Sequence, residues 1–243
     1  MGQLIGSQGK PENGAASAGT IAVWDLPLRV FHWSLAGVVI TGIAAIKLDH
    51  IDLHIRCGQV ALALVLFRII WGFVGPAYAR FTSFVRGPAA IISYARSLLR
   101  PPHEFHAGHN PLGGVVVVLM LALLLLQAIS GLFANDDIAT EGPWAVMVSK
   151  AASNAITALH YRNSWLIIAL IALHVVAVFA YLIRYRDNLI HPMFTGLKRI
   201  PPDTSASGIA GSQAGRGLLV GALSAFLAWL AFALPGWIAP SPF

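Results

Sequence analysis

The sequence predicts an all-α integral membrane protein, in which a four-helix transmembrane bundle is followed by a fifth, C-terminal transmembrane helix. Of its 243 residues 57% are hydrophobic and only 11% are charged. Several apolar runs are long enough to cross a hydrocarbon core of about 30 Å. The basic residues stand in short segments beside those runs, where they act as topology signals. The net charge of +6 therefore does not indicate nucleic-acid binding.

The first 22 residues predict a flexible N-terminal tail, because GSQGKPENGAASAGT is polar and rich in small residues. This stretch lacks the compact apolar core and the small-residue cleavage site of a signal peptide. We therefore expect the first membrane span to remain in the mature protein.

The first span is predicted from about Leu28 to Ile46, with His32 about one turn inside it. Arg29 lies three residues before His32 and so shares its face of the helix. Two interpretations of Arg29 stay open. It can accompany a buried anionic group, or it can be a positive-inside anchor of the span.

The second span is predicted from about His54 to Val74, after a short polar connection in which His50 is a loop residue. Arg68 follows His54 by fourteen residues, a rotation of about 1400° that returns it to within about 40° of the same face. It also lies about 21 Å deeper. A buried arginine needs an anionic partner, and the alternative is that its side chain extends to the membrane surface.

A basic amphipathic segment follows, YARFTSFVRGPAAIISYARSLLRPPHEFHAGHNP, which we expect to lie on the membrane surface. His103, His106 and His109 have the spacing of a metal cluster, yet no carboxylates or cysteines accompany them and prolines interrupt the segment. The sequence therefore disfavours a metal site there. His109 stands at the mouth of the next span and remains a rival to the histidines within the spans.

The third span, about Leu112 to Phe133, is aliphatic and has no histidine. The loop from Ala134 to Leu159 carries acidic side chains with few cations, namely Asp136, Asp137 and Glu141. It is either a docking surface for a basic partner or a solvated loop.

The fourth span, predicted from about His160 to Arg184, carries two histidines on one face. His174 follows His160 by fourteen residues, so the two are separated by about 21 Å along the helix and lie within about 40° of each other. Either alone could be an interfacial or hydrogen-bonded histidine. Two on one face of a membrane span indicate function, and their spacing suits two stacked haems. Residues 187–215 are predicted to be a linker, and residues 216–238 form the fifth span.

The distribution of basic residues predicts that the N-terminal tail is cytoplasmic. One side of the predicted topology holds the larger set: Lys10, Arg80, Arg86, Arg96, Arg100, Arg184, Arg186, Lys198, Arg199 and Arg216. The opposite side holds the smaller one: Lys47, Arg56, Lys150 and Arg162.

Depth in the membrane then pairs the histidines. His32 and His174 fall in the cytoplasmic half, whereas His54 and His160 share the opposite level. Two imidazoles on opposite faces of an iron give a six-coordinate haem, which is suited to electron transfer. The single cysteine, Cys57, and the absence of a CxxCH motif rule out an internal disulfide and covalent attachment of haem.

Several motifs in order resemble the bacterial cytochrome b561 family, including the related b-type cytochrome subunits of nickel-iron hydrogenases. They are WDLPLRVFHW, the HxxxG of His54 to Gly58, FRIIWGFVG, YARFTSFVRGP, GHNPLGG, and the paired His160 and His174 followed by RDNL and a glycine-lysine turn. The likeness covers about Trp24 to Lys198. HxxxG alone would be weak, and the ordered set makes the resemblance specific.

The resemblance implies a four-helix di-haem cytochrome b domain over residues 23–186. It assigns His32, His54, His160 and His174 as axial ligands of two b haems, with Arg29 and Arg68 as candidates to pair with haem propionates. Members of this family lie in the bacterial inner membrane and pass electrons between the quinone pool and a periplasmic partner, for which a c-type cytochrome is our first expectation. The fifth span departs from the small members of the family.

Two other functions stay open. One is a self-contained quinone-linked oxidase of superoxide or a small reductant. The other is a non-redox membrane anchor or transporter. Histidines matched in depth on three spans argue against it. The sequence leaves undecided whether the chain is itself an enzyme.

Overall fold

The computed structural model describes residues 19–98, 105–201 and 206–238, and the described chain is mostly helical. The elements are β1 Thr20–Ala22, α1 Leu26–Lys47, α2 Ile51–Val74, α3 Phe81–Phe84, α4 Pro88–Ser97, α5 Pro111–Leu132, α6 Lys150–Arg184, α7 Ile190–Thr195, β2 Leu197–Arg199 and α8 Ala214–Ile238. Five of these helices, α1, α2, α5, α6 and α8, are long and apolar enough to cross a membrane. This confirms the expectation of an all-α integral membrane protein with a fifth C-terminal span.

Three of the spans begin at a side-chain cap. Asp25 accepts a hydrogen bond from the backbone N–H of Leu28 at 2.8 Å, and Asn110 accepts one from Gly113 at 2.8 Å. Ser149 caps α6 in the same way. In α1 and α5 a proline stands in the first turn, where its missing N–H leaves no hydrogen bond unmade. These local signals fix where the helices start.

The helix α2 is central to the packing. It lies against α1, α5 and α8, while α5 and α6 form a second antiparallel pair. Aromatic rings stack along its inner face, since Phe67 lies 5.9 Å from Phe31 and 5.5 Å from Trp71 between ring centroids. The fifth span, α8, packs against α2 and against the start of α1. There a Cβ on Gly217 would lie only 2.4 Å from Cγ of Pro27.

The two short strands pair with each other and define what we call the sheet end of the bundle, Thr20–Ala22 with Leu197–Arg199. Residues 20–22 of the predicted tail form β1, and within the predicted linker Ile190–Thr195 form α7 and Leu197–Arg199 form β2. This corrects the sequence-based expectation. The reason is that each strand is stabilised by a partner about 175 residues away along the chain, which local composition does not reveal. Residues 1–18 lie outside the described residues.

The opposite end, the loop end, comprises residues 48–50 and 133–149. Here α6 begins at Lys150 instead of near His160, which corrects the predicted start of the fourth span. Its 35 residues extend about 52 Å, well beyond a hydrocarbon core of about 30 Å. His160 and His174 each lie ten residues from an end of this helix, so a centred, upright helix places both just inside the core.

Candidate haem-binding site

At the loop end, His54 of α2 and His160 of α6 face each other. Their ring centroids are 6.1 Å apart and their planes are nearly perpendicular, at 85°. Two imidazoles that bind one metal ion from opposite sides have centroids about 6 Å apart, because each metal–nitrogen bond is about 2 Å long. The structure thus brings together a pair that the sequence matched by depth, at a separation that fits one iron between them.

Each of these rings is oriented by a neighbouring helix. Nδ1 of His54 lies 2.9 Å from the carbonyl oxygen of Gly42, and Nδ1 of His160 lies 3.0 Å from that of Gln127. A carbonyl oxygen only accepts hydrogen bonds, so both rings carry their proton on Nδ1 and leave the lone pair of Nε2 free for a metal. Ser130 Oγ lies 3.1 Å from the same nitrogen of His160. Protonation at Nδ1 leaves Nε2 to bind the iron, as haem ligation requires.

Two glycines give this site its shape. A Cβ on Gly131 would lie 3.2 Å from Cε1 of His160, so α5 approaches the ring closely there. A Cβ on Gly58, one turn after His54, would meet no atom within 4 Å. Gly58 thus adds no bulk one turn from His54, and the facing imidazoles, each with Nε2 left for a metal, fit haem.

The polar support of His160 in α5 was missed by the sequence analysis, which treated the third span as aliphatic. Asn163 is only 1% exposed, and its Nδ2 donates to Gln127 Oε1 at 2.7 Å and to the Leu123 carbonyl at 2.9 Å. The backbone carbonyl of Gln127 thus accepts from His160, while Asn163 holds the side chain of Gln127. The missed signal was a glutamine and a serine, Ser130, inside an otherwise apolar span.

At the sheet end, His32 of α1 and His174 of α6 are close enough to interact electrostatically. Nδ1 of His32 is buried and has no hydrogen-bond partner within the described part of the chain. The ring packs edge-on against Trp33, with centroids 5.0 Å apart. The structure thus groups these two histidines at one end of the bundle, and among the described residues no carbonyl bond orients His32 as it does the loop-end pair.

His109, the rival ligand, joins the same end. Its ring lies between Trp24 and Phe84, with centroid distances of 4.8 and 4.7 Å, and it interacts electrostatically with His32 and His174. Burial lowers the pKa of His109 to about 3, so the ring is neutral at pH 7. The placement leaves both interpretations of His109 open.

The other described histidines, His50, His106 and His191, belong to neither pair. His50 is exposed and precedes α2, and the ring of His106 packs against Tyr94 at 5.2 Å. His103, like Arg100 and Lys10, lies outside the described residues. Among residues 19–98, 105–201 and 206–238, no group of three or more His, Cys, Asp or Glu side chains is arranged to hold a metal ion. Haem iron needs only two protein ligands.

Arg68 is buried at the sheet end, with 2% of its surface exposed, so its side chain does not extend to the surface. The guanidinium carbon lies 5.1 Å from the ring centroid of Phe81 and 5.8 Å from that of Phe84. Both terminal nitrogens are buried and have no hydrogen-bond partner among the described residues. A buried cation with free donors requires an anion.

Asp25 is an opposite charge near Arg68: it interacts electrostatically with Arg68 and accepts a hydrogen bond from Trp71 Nε1 at 3.3 Å. Burial raises the pKa of Asp25 above its ordinary value. Asp25 was not among the predicted site residues. An aspartate directly before Leu-Pro at a helix start is the signal of an N-cap, and it could have drawn attention to the residue.

Arg29 is hydrogen-bonded to α7, at the sheet end. One of its terminal nitrogens donates to the carbonyl of Phe194, while its Nε is buried without a partner in the described part of the chain. Next to it, Trp33 Nε1 donates to the Met193 carbonyl at 3.1 Å. Arg29 therefore contacts α7 and retains one donor for an anion.

The acidic loop at the loop end uses some of its charge internally. The carboxylate of Asp136 accepts hydrogen bonds from three backbone N–H groups, chiefly that of Thr140, and these hold its pKa below the usual range. Asp137 forms a 2.8 Å salt bridge with Lys150. A docking role for this loop stays a prediction.

The fold and these paired histidines define a multi-pass helical membrane protein with haem-compatible imidazoles inside the bundle. Comparison with known proteins identifies the family: the model described as prokaryotic cytochrome b561 matches residues 23–196, and the chain belongs to this family. The resemblance seen in the motifs is thereby confirmed. Family membership makes the protein a membrane b-type cytochrome of electron transfer, with haem b as its cofactor.

Two curated relatives carry the printed name "Probable Ni/Fe-hydrogenase B-type cytochrome subunit". The protein from Rhizobium leguminosarum bv. viciae is 25% identical over 211 residues, which cover 73% of this chain and 88% of the relative. That from Bradyrhizobium diazoefficiens (strain JCM 10833 / BCRC 13528 / IAM 13628 / NBRC 14792 / USDA 110) is 23% identical, with 73% and 85% covered. No solved structure matches the chain significantly.

Proposed function

We propose that this protein transfers electrons between the quinone pool and a periplasmic redox partner through two b haems. The observation that carries the proposal is the facing pair His54 and His160, each with Nδ1 bonded to a backbone carbonyl. Rings oriented in this way would hold haem iron through Nε2, one from each helix. They offer no open position to a substrate, which favours electron transfer over chemistry at the metal.

The ligand assignment follows the two ends of the bundle. His54 and His160 hold one haem at the loop end, and His32 and His174 hold the other at the sheet end. Arg68 pairs with a propionate of the sheet-end haem, because its two buried, unpartnered nitrogens match a carboxylate. Arg29 has one buried free donor at the same end and is the second candidate.

The protein lies in the bacterial inner membrane with its N-terminus in the cytoplasm. The larger set of lysines and arginines lies on that side, and the sheet end is therefore cytoplasmic. Reporter fusions test this. A fusion after Arg199 should be cytoplasmic, whereas one after Ile238, beyond the fifth span, should be periplasmic. The reverse pattern would contradict the orientation.

We infer the class of partner from the position of the loop end, which lies on the periplasmic side in this orientation. A c-type cytochrome or another periplasmic redox protein is the first candidate, and the printed names of the two relatives add a hydrogenase. The alternative function is a self-contained quinone-linked oxidase. Two measurements separate these functions. Co-purification after mild cross-linking in the native membrane should capture the partner of an electron-transfer subunit, whereas the oxidase would reduce quinone without any second protein.

Haem content tests the proposal as a whole. The purified protein should contain about two non-covalent, low-spin b haems per chain that acidified organic solvent extracts, since no CxxCH motif can form thioether links. Iron, pyridine haemochrome and chain concentration should be measured on one sample. One haem per chain, or none, would contradict the two-site arrangement.

A further inference from the structure

His109 packs at the sheet end and belongs to neither of the proposed ligand pairs. We propose that His109 donates a hydrogen bond from Nδ1 to the same haem propionate that Arg68 binds, and that it is not an axial ligand. His109 is then a residue that positions the cofactor. This inference deepens the proposed function and rests on it, because it presupposes a haem between His32 and His174.

The imidazole of His109 is held in place by its surroundings. Its ring lies between those of Trp24 and Phe84, at centroid distances of 4.8 and 4.7 Å. The backbone before it is held as well, since Nζ of Lys198 donates to the carbonyl of His106 at 3.0 Å. None of these contacts uses Nδ1 of His109, which is buried and has no hydrogen-bond partner among the described residues.

Arg68 supplies further free donors in the same region. The ring of Phe84, which contacts His109, also lies 5.8 Å from the guanidinium carbon of Arg68. Of the charges that act on His109, that of Arg68 is the strongest. Both terminal nitrogens of Arg68 are buried without a partner in the described chain. A neutral imidazole carries one N–H, so the arginine and the histidine together offer three buried donors.

An acidic side chain is close by, but it does not use these donors. The two carboxylate oxygens of Asp25 accept from the backbone N–H of Leu28 at 2.8 Å and from Nε1 of Trp71 at 3.3 Å. A buried guanidinium with free donors therefore requires a further anion. A carboxylate has enough lone pairs to accept two N–H groups from arginine and a third from an imidazole. A haem propionate is such a carboxylate.

The same surroundings disfavour His109 as an axial ligand. The charge that acts on His32 is that of His174 on α6, whereas the charge that acts most on His109 is that of Arg68. An iron ion would bring a second positive charge to the uncompensated guanidinium, whereas a carboxylate compensates the first in a medium of low dielectric constant. His32 and His174 therefore remain the ligands at the sheet end.

The experiment compares two substitutions of His109 in the purified holoprotein. His109→Gln keeps an N–H donor, whereas His109→Leu removes it. Both variants should retain both low-spin signals in electron paramagnetic resonance, because neither iron loses a ligand. The second measurement is the rate at which each haem passes to an excess of apomyoglobin. The sheet-end signal is identified as the one that remains in the double variant His54→Ala with His160→Ala.

His109→Leu should lose the sheet-end haem about tenfold faster than the wild type, the usual effect of removing one hydrogen bond to a charged group. His109→Gln should stay close to the wild-type rate, and the loop-end haem should be unaffected in both. His191→Leu is the control, because His191 is an exposed histidine of α7 at the same end of the bundle. It should leave both rates unchanged.

Arg68→Gln tests whether the two residues bind one group. It should also speed the loss of the sheet-end haem, with the exposed Arg86→Gln as its control. The double variant Arg68→Gln with His109→Leu should lose this haem more slowly than the product of the two single effects predicts, because both donors act on one carboxylate.

Three results would overturn the inference. If either His109 variant lacks the sheet-end signal while total haem is unchanged, His109 is an axial ligand. If His109→Leu has the wild-type rate, or if Leu and Gln speed the loss equally, His109 binds no propionate. If the effects of Arg68 and His109 multiply independently, the two do not share a group. The wild type still holds two haems in each case and the proposed function stands, whereas a single haem in the wild type would contradict that function itself.

Discussion

The rings of His54 and His160 stand 6.1 Å apart and almost perpendicular, although 106 residues separate them along the chain. The carbonyl of Gly42 on α1 fixes the first ring, and the carbonyl of Gln127 on α5 fixes the second. Four helices thus act together on one pair of imidazoles. The separation of the rings is a property of the whole bundle, which makes it sensitive to changes in any of these helices.

The pairing of the ligands is tested by a double substitution. His54→Ala with His160→Ala should abolish one low-spin signal in electron paramagnetic resonance and spare the other, since both ligands of one iron are removed. A single alanine can leave a five-coordinate, high-spin haem in place, so total haem is not the measurement. The pairing is wrong if the double variant inserts and folds but loses both signals. It is also wrong if His109→Ala removes a signal that His32→Ala leaves.

Gly131→Ala tests how closely α5 supports the loop-end site. The added Cβ would lie 3.2 Å from Cε1 of His160, so the ring must move by a few tenths of an ångström. We expect the g-values of the loop-end signal to shift while those of the sheet-end signal stay unchanged. Gly221→Ala on α8 is the control, since its Cβ would meet no atom within 4 Å. Identical spectra for both variants would show that the ring does not depend on this contact.

The spans and the faces of their histidines could be predicted because both depend on local properties. A run of apolar residues longer than the membrane core is visible in the sequence, and a helix with 3.6 residues per turn carries His160 and His174 on one face wherever it packs. Depth alone then matched His54 with His160. The structure places these two together.

Features that depend on distant segments could not be predicted. The strand Thr20–Ala22 exists because Leu197–Arg199 returns to pair with it, and the start of α6 at Lys150 depends on loop residues such as Asn135, whose Nδ2 donates to Asn154 Oδ1 at 2.9 Å. The contact between Ser130 and His160 likewise could not be predicted without knowing which helix faces His160. The surroundings of Arg68 come from three segments outside its own helix, at Asp25, at α3 and at His109.

Asp25 has two functions that substitutions can separate. Asn also caps helices well, so Asp25→Asn should keep the cap of α1 but lose the negative charge near Arg68 and the oxygen that accepts from Trp71 Nε1. Asp25→Ala should lose the cap as well. We expect thermal unfolding in detergent to show Asp25→Ala less stable than Asp25→Asn by about 1 kcal/mol, the usual contribution of an N-cap. Equal stability of the two variants would show that the cap contributes nothing.

The last prediction concerns the attachment of the fifth span at the loop end. Pro235 lies inside α8 and has no N–H, so the carbonyl of Ala231, four residues earlier, lacks its usual helical donor. Trp144 Nε1 donates to that carbonyl at 2.6 Å. The indole thus replaces the missing backbone hydrogen bond, as a carbonyl at membrane depth requires.

Trp144→Phe keeps an aromatic ring beside Phe133 but removes this donor, so it should destabilise the protein by about 1–3 kcal/mol. Trp229→Phe, on the exposed face of α8, is the control and should have little effect. In a Pro235→Ala background, the backbone N–H of residue 235 can bond the Ala231 carbonyl, and Trp144→Phe should then be much less destabilising. This coupling can be measured by thermal unfolding in detergent as a double-mutant cycle. Additive effects of the two substitutions would show that Trp144 does not act through this carbonyl.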